Sequence, residues 1–594
     1  MFAIKAIKIV KIVNTYKNSN LNETSTQYLL TLNKLFLVFM SQNIFELITN
    51  VLSINSTLTF DCKQLKSAIR GTEGLENFPH KERSYLAMVK VTHTHEIKAL
   101  IDLANQCASN EELSFTLYPI STGKNWGYGS SQPSGTGQNI VLLDLGQLNA
   151  IKDFDPELGL VTIEPGVTQQ QLSDFLTNHN YPYMVPVTGA GPECSIVANA
   201  LERGYGITPH TDHFGAVTSV QGYWANGTAY HSAIDELDES TEKLVNKTYK
   251  WGLGPYLEGL FTQSNLGIVS QLTLRLAIRK PGFSSFFIQL KSDKNLDKVI
   301  PIVRNILQDY EGIVGAINIM DQRRLLSMLS QNPDKNTHKV MSEDTIKVLS
   351  TSLNIPCWTI VGSIYGSEGV VKVVKKEISK RFCTLDCRQI FSDSFTIIAA
   401  NKIIAYLPDW LINNINMLSK LSKQLTAFTL GSNIMLGIPN KVALKLAYWR
   451  HQDTKKSSNN SLSPSSDGCG LLWYAPLIGM KVEVIREFVS FIRTTCPKYN
   501  IEPFITLTNL KHDCIDSTIP IIFDTTNPQA IYDAHQCLEA LTKEGLKRGF
   551  VPYRINIDQQ QWLLDRNSNF WQTVDLLKKS LDPNNILSIS RYNP

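Results

Sequence analysis

At 594 residues the chain has room for several domains, and its 43% apolar and 19% charged content is that of an ordinary globular protein. A net charge of +4, with no arginine-rich tract or nucleic-acid motif, argues against a nucleic-acid partner. The 10 cysteines are scattered, with no C-x-x-C pair, so neither a zinc framework nor a dense disulfide scaffold is expected, and a cytoplasmic location fits.

In chain order, residues 1–20 carry Lys5, Lys8, Lys11 and Lys17 and no acid. The apolar run Leu35 to Met40 is far shorter than the roughly 20 residues of a membrane span. It also lacks a small-residue cleavage site. Residues 1–39 are therefore expected to be a non-structural extension, with Met40 as the functional start. Val89 to Thr92 reads as a strand, and His95 to Ala108 as a helix with Ile97, Leu100, Ile101 and Leu103 at helical spacing.

Pro119 to Gln132 follows as a Gly/Ser-rich loop before an Ile140–Asp144 strand. Gly123, Gly127 and Gly129 release the backbone from Cβ sterics. Successive amides in such a turn form an anion-binding concavity that suits a pyrophosphate. Ser121, Thr122 and Ser130 can add hydroxyl donors. By itself the stretch reads equally well as a surface loop. Neither G-x-G-x-x-G opening a helix nor G-x-x-x-x-G-K-[ST] is present.

Gln169 to His179 reads as a helix, and Ser219 to Tyr230 as a hairpin whose Asn226-Gly227 suits a type I′ turn. After Lys280 the texture changes to strand–helix alternation: Phe283–Leu290 with Leu296–Tyr310, then Trp358–Lys380, then Leu471–Cys496. Residues 452–468 are a polar loop. The order predicts α+β packing rather than a doubly wound sheet.

Several blocks then carry a resemblance. GKNWGYGS at 123–130, VTIEPGVT at 161–168, NALERGYGITP at 199–209, GPYLEGLFTQSNLGIV at 254–269, Tyr553-Arg554 and LDPNNIL at 581–587 share one order. Together they resemble the vanillyl-alcohol oxidase and p-cresol methylhydroxylase flavoprotein family over roughly residues 85–594. The resemblance implies an α+β fold. A PCMH-type FAD-binding domain would span 40–280, a cap with an antiparallel sheet covered by helices 281–555, and a C-terminal return to the flavin domain 556–594. It implies FAD held by the loop residues Ser121, Thr122, Gly123, Lys124, Asn125, Gly127 and Gly129. Further contacts would come from Pro165 and Gly166, from Asn199, Arg203, Gly204 and Gly206, from His210, and from Gly267, Ile268 and Val269. Glu202 and Arg203 read alternatively as a local ion pair.

The resemblance also assigns chemistry. Tyr128, Tyr553 and Arg554 match positions that bind and deprotonate a phenol. A nearby guanidinium lowers a phenol's pKa by ~1–3 units, and tyrosine hydroxyls can donate to the phenolate. The phenolate then releases hydride from its para substituent to flavin N5, leaving a quinone methide. His512 matches a family histidine and reads equally as catalytic or structural.

Three departures stand out. Leu471 aligns where some members attach FAD through histidine, so non-covalent FAD is expected. His210 and Thr211 replace a tyrosine and a glycine. No acidic residue in Tyr183–Gly189 matches the one that assists hydration in some members.

The leading expectation is an FAD-dependent oxidoreductase acting on a 4-alkylphenol or aromatic alcohol. One alternative is a 2-hydroxy-acid dehydrogenase or oxidase in which Arg554 clamps a carboxylate. Another is a catalytically degenerate flavin-binding protein. The electron acceptor would be oxygen or a redox protein such as a cytochrome. A homodimer is compatible, and no metal is expected.

Overall fold

The computed structural model describes residues 44–592 except 62, 66–82, 84, 125, 134–138, 335–337, 394–415, 452–461 and 589–590. The extension 1–39, the residue Asn125 and most of the polar loop 452–468 lie outside the described residues.

The first sheet holds β1 (Thr57–Thr59), β2 (Ala87–Lys90), β3 (Thr116–Ile120) and β4 (Ile140–Asp144), in the order β1-β2-β4-β3. β4 runs parallel to both β2 and β3. Every residue of β4 is buried, as a strand covered on both faces requires. The helix His95–Cys107 packs on this sheet through Ile97, Leu100, Ile101 and Ala104.

The second sheet is antiparallel: β5 (Ile151–Asp155), β6 (Leu160–Ile163), β10 (Gly267–Arg275), β8 (Val217–Trp224) and β9 (Ala229–Tyr230). Between them in sequence, β7 (Tyr183–Met184) pairs with β11 (Ala277–Ile278). The β8–β9 hairpin forms, but its turn differs from the expected one. Only Gly227 has positive φ, +87°, and Asn226 does not. The Gly227 amide donates to the Trp224 carbonyl at 2.9 Å and the Trp224 amide to Thr228 at 2.9 Å. That is a type I turn closed by a left-handed glycine, the three-residue hairpin loop rather than the two-residue one.

The third sheet has nine strands, all paired antiparallel. They are β12 (Gly282–Leu290), β13 (Ile317–Asp321), β14 (Trp358–Gly366), β15 (Cys387–Asp393), β16 (Gly470–Tyr474), β17 (Pro476–Gly479), β18 (Thr506–Asn509), β19 (Cys514–Phe523) and β20 (Val551–Pro552). Helices Leu296–Asp309, Glu368–Phe382, Val482–Thr495 and Pro528–Lys547 cover one face. Ile319, Ile360, Leu507 and Ile519 point into that core. Because side chains alternate along a strand, Asn318, Thr359, Thr506, Thr508 and Asp516 point to the other face.

The C-terminus closes back on the first sheet. The Leu117 amide donates to the Ile586 carbonyl at 2.8 Å, and the Ser588 amide to the Leu117 carbonyl at 2.8 Å. Among the described residues no helix is long and apolar enough to cross a membrane, and no His/Cys/Asp/Glu cluster could hold a metal ion.

Candidate active site

The glycine loop leaves β3 and bends through left-handed turns, with φ +62° at Gly123, +91° at Gly127 and +68° at Gly129. At Gly127 a Cβ would fall 2.1 Å from the Trp473 ring, so the loop is pressed against the open face of the third sheet. Beside the loop lies a solvent-open cleft. Ser121, Gly123, Pro165, Gly267, Ile268 and Val269 line it, all from the cofactor set expected by resemblance. Glu202, Gln263, Asn265, Arg554, Ser588 and Arg591 complete much of the polar wall.

The other expected cofactor residues that are described do not line the cleft. Lys124 turns to Glu193 at 3.3 Å and donates to Ser463 at 3.0 Å. Gly166 lies where a Cβ would meet the Gly146 carbonyl at 2.3 Å. Asn199 bonds His213 Nδ1 at 2.6 Å, and Gly204 and Gly206 fit tightly around that pair. Arg203, exposed, donates to Thr262 Oγ1 at 3.0 and 3.1 Å. The local Glu202–Arg203 ion pair is therefore absent. Glu202 is instead buried against Arg554, at 3.1 Å, and Arg591. Burial, with help from Arg275, pushes the His210 pKa down.

The cleft suits a phosphate-bearing dinucleotide. It offers two guanidinium groups against one carboxylate. Two buried acceptors, Thr122 Oγ1 in the loop and Asn265 Oδ1 in the wall, have no hydrogen-bond partner among the described residues. Such groups are rare in folded proteins unless a ligand or water satisfies them.

Behind Arg554 the expected tyrosines converge. The Arg554 guanidinium lies 4.1 Å from the centroid of the Tyr128 ring, a cation–π contact, and Nη2 donates to Ser130 Oγ at 3.3 Å. Tyr128 is hydrogen-bonded to Tyr553 through their side chains. Burial pushes the Tyr128 pKa up to about 12, against the pull of Arg554. The Tyr553 pKa is also raised well above its usual value, by burial first and then by Tyr128 and Asp516.

Two members of this cluster escaped sequence reasoning. Tyr205 lies 5.9 Å from the Tyr553 ring, centroid to centroid, and its hydroxyl bonds Asp516 and Thr508. Asp516 is buried on β19, where desolvation pushes its pKa well above the usual carboxylate range. A lone acid inside the apolar run Cys514–Phe523 was the available signal. Arg591 was also missed, since it stands alone near the C-terminus, in no block that carries the resemblance. His512 sits in the turn between β18 and β19, half-buried, and among the described residues has no hydrogen bond or ion pair to the tyrosine cluster.

Leu471 is fully buried on β16, on the same face as Trp473 and beside Gly127. Tyr474 points to the opposite face, into the helix-covered core. Register therefore turns Tyr474 away from the loop.

Comparison with known proteins agrees with this geometry. Residues 85–232 match the FAD binding domain family. The chain is 27% identical over 517 residues to 1'-carboxy-chondrochloren decarboxylase of Chondromyces crocatus, covering 85% of this chain and 90% of the relative. It is 25% identical over 512 residues to the flavoprotein subunit of 4-cresol dehydrogenase [hydroxylating] of Pseudomonas putida, covering 85% and 87%. The crystal structure of p-cresol methylhydroxylase with substrate bound superposes with a TM-score of 0.78 at 21% identity, covering 93% of this chain and 97% of that one. Fold, cleft and homology define an FAD-dependent oxidoreductase. Within that class the chain is a homologue of the 4-cresol dehydrogenase flavoprotein subunit, and its fold is that of p-cresol methylhydroxylase.

Proposed function

We propose that the chain oxidises a 4-substituted phenol at the carbon attached to the ring, using FAD held without a covalent bond. The observation that carries this is the convergence of Tyr128, Tyr553 and Arg554 at the edge of the cleft. FAD, when bound, supplies the hydride acceptor. Ser121, Gly123 and Gly267–Val269 would hold it, with Arg591 and Asn265 as polar wall.

The chain's own residues handle the phenol. Tyr128 and Tyr553 keep their protons at neutral pH, so both can donate to a phenolate oxygen. Arg554 favours the anion electrostatically, while Glu202 keeps that guanidinium in place. Burial pushes the Asp516 pKa well above the usual carboxylate range, which disfavours a negative charge beside the phenolate. Three tyrosines around one point support a phenol over a 2-hydroxy acid.

Non-covalent flavin is supported by Leu471, which cannot bond to flavin, and by the orientation of Tyr474. A flavin domain at 40–280, a cap at 281–555 and a return at 556–594 belong to this reading, and the pairing of Leu117 with Leu587 supports the return. The flavoprotein-subunit name of the 25% relative favours a redox protein over oxygen as electron acceptor. A second reading, favoured by the 27% relative, is a carboxylated substrate that loses its carboxyl group.

Anaerobic mixing with 4-alkylphenols and with lactate tests the main reading. Bleaching of the visible flavin bands by phenols alone is the expected result. Bleaching by lactate alone would establish the hydroxy-acid alternative.

A further inference from the structure

The open face of the third sheet carries buried polar atoms that no described residue satisfies. They are Asn318 Oδ1, Thr359 Oγ1, Asp516 Oδ1 and Arg324 Nη1. The first three lie on strands, and register places them on one face. Thr359 pairs with Met320, which pairs with Thr506. In the next row Asn318 pairs with Thr508, which pairs with Asp516. Arg324 follows β13 on the helix Gln322–Leu329, is 8% exposed, and donates from Nε to Thr506 Oγ1 at 3.1 Å.

Arg324 is thus tied to the row next to the tyrosine cluster. Tyr205 bonds Thr508, and Arg324 bonds Thr506 two residues along the same strand. Two residues of strand span about 7 Å, roughly the reach from a phenol oxygen across the ring to a para substituent. The electrostatics point the same way. Arg554 and Arg591 share the Glu202 carboxylate, and burial disfavours the charged form of Asp516. Asp321, the acid near Arg324, already accepts the Ile505 and Arg324 backbone amides. A buried guanidinium with an unused N–H is matched best by a carboxylate.

We propose that Arg324 is a specificity residue that binds a carboxylate on the para substituent of the phenolic substrate. The inference rests on the phenol reading above and narrows it to anionic 4-substituted phenols. The Thr359 hydroxyl can donate to that carboxylate.

The test compares 3-(4-hydroxyphenyl)propanoate with 4-propylphenol, which differ in the anionic end. Binding to the FAD-loaded protein is read from perturbation of the flavin spectrum. The wild type is expected to bind the carboxylate about tenfold or more tightly than the alkylphenol. Arg324→Gln should erase that preference and leave 4-propylphenol affinity unchanged. Arg324→Lys, which keeps the charge, should retain part of it, and serves if the glutamine variant does not fold. Equal affinities in the wild type, or a preference that survives Arg324→Gln, would overturn the inference while leaving the phenol reading intact. A wild type that binds neither phenol would overturn both.

Discussion

Tyr553 shows how one hydroxyl can matter at this site. Its raised pKa keeps it a donor, and a charge-assisted bond to a phenolate contributes roughly 1.5–3 kcal/mol. Tyr553→Phe should therefore lower kcat/KM for a 4-alkylphenol by about 10–100-fold. Flavin content should not change, because Tyr553 does not line the cleft. Steady-state kinetics beside a flavin-to-protein absorbance ratio checks both.

His213 offers a stability prediction. Burial pushes its pKa down from 6.5 to about 3, with His210 adding to the shift. The folded state therefore holds it neutral while the unfolded chain takes a proton below pH 6.5. Stability is fully present above 6.5 and is lost as pH falls toward 3. Between pH 6.5 and 5 the loss is about 2 kcal/mol. Melting temperature should drop over that window in the wild type and drop less in His213→Gln.

At the scale of elements, the glycine loop is the most constrained piece. Gly127 combines a left-handed φ with contact against Trp473. Gly127→Ala should destabilise the protein by about 3 kcal/mol and lower flavin occupancy. Denaturant melts with a flavin-release assay would show it. The loop and strands β3, β4, β12 and β14 were legible because apolar runs end at glycine or polar signals. The Asn226-Gly227 turn was legible as a hairpin but not by type, since sequence does not say how many loop residues the pairing register absorbs. Tyr205 and Asp516 meet only through tertiary pairing of segments some 300 residues apart. No local pattern announces that contact. The glycines at 204 and 206 were legible as close-approach positions, but what approaches them is Asn199 and His213.

For the molecule as a whole, the nine-stranded sheet has two unlike faces. One buries an aliphatic core under four helices, and the other faces the glycine loop with Trp473, Asp516 and the threonines. That arrangement places Arg554, next to β20, in the wall of a cleft built mainly from the first two sheets. Arg554 therefore couples the two halves: Arg554→Ala leaves Glu202 buried with Arg591 alone, and should cost about 1.5–3 kcal/mol of stability as well as activity. The flavin should also dissociate on acid precipitation, passing its colour to the supernatant. Colour retained in the pellet would mean a covalent bond and remove the argument from Leu471.

In the proposed function Tyr128, Tyr553 and Arg554 read the phenol hydroxyl. Its most direct test is the anaerobic rate of flavin bleaching by a 4-alkylphenol against that by its O-methyl ether, which cannot form a phenolate. Rapid bleaching by the phenol and none by the ether is the expected result. Equal rates would contradict it.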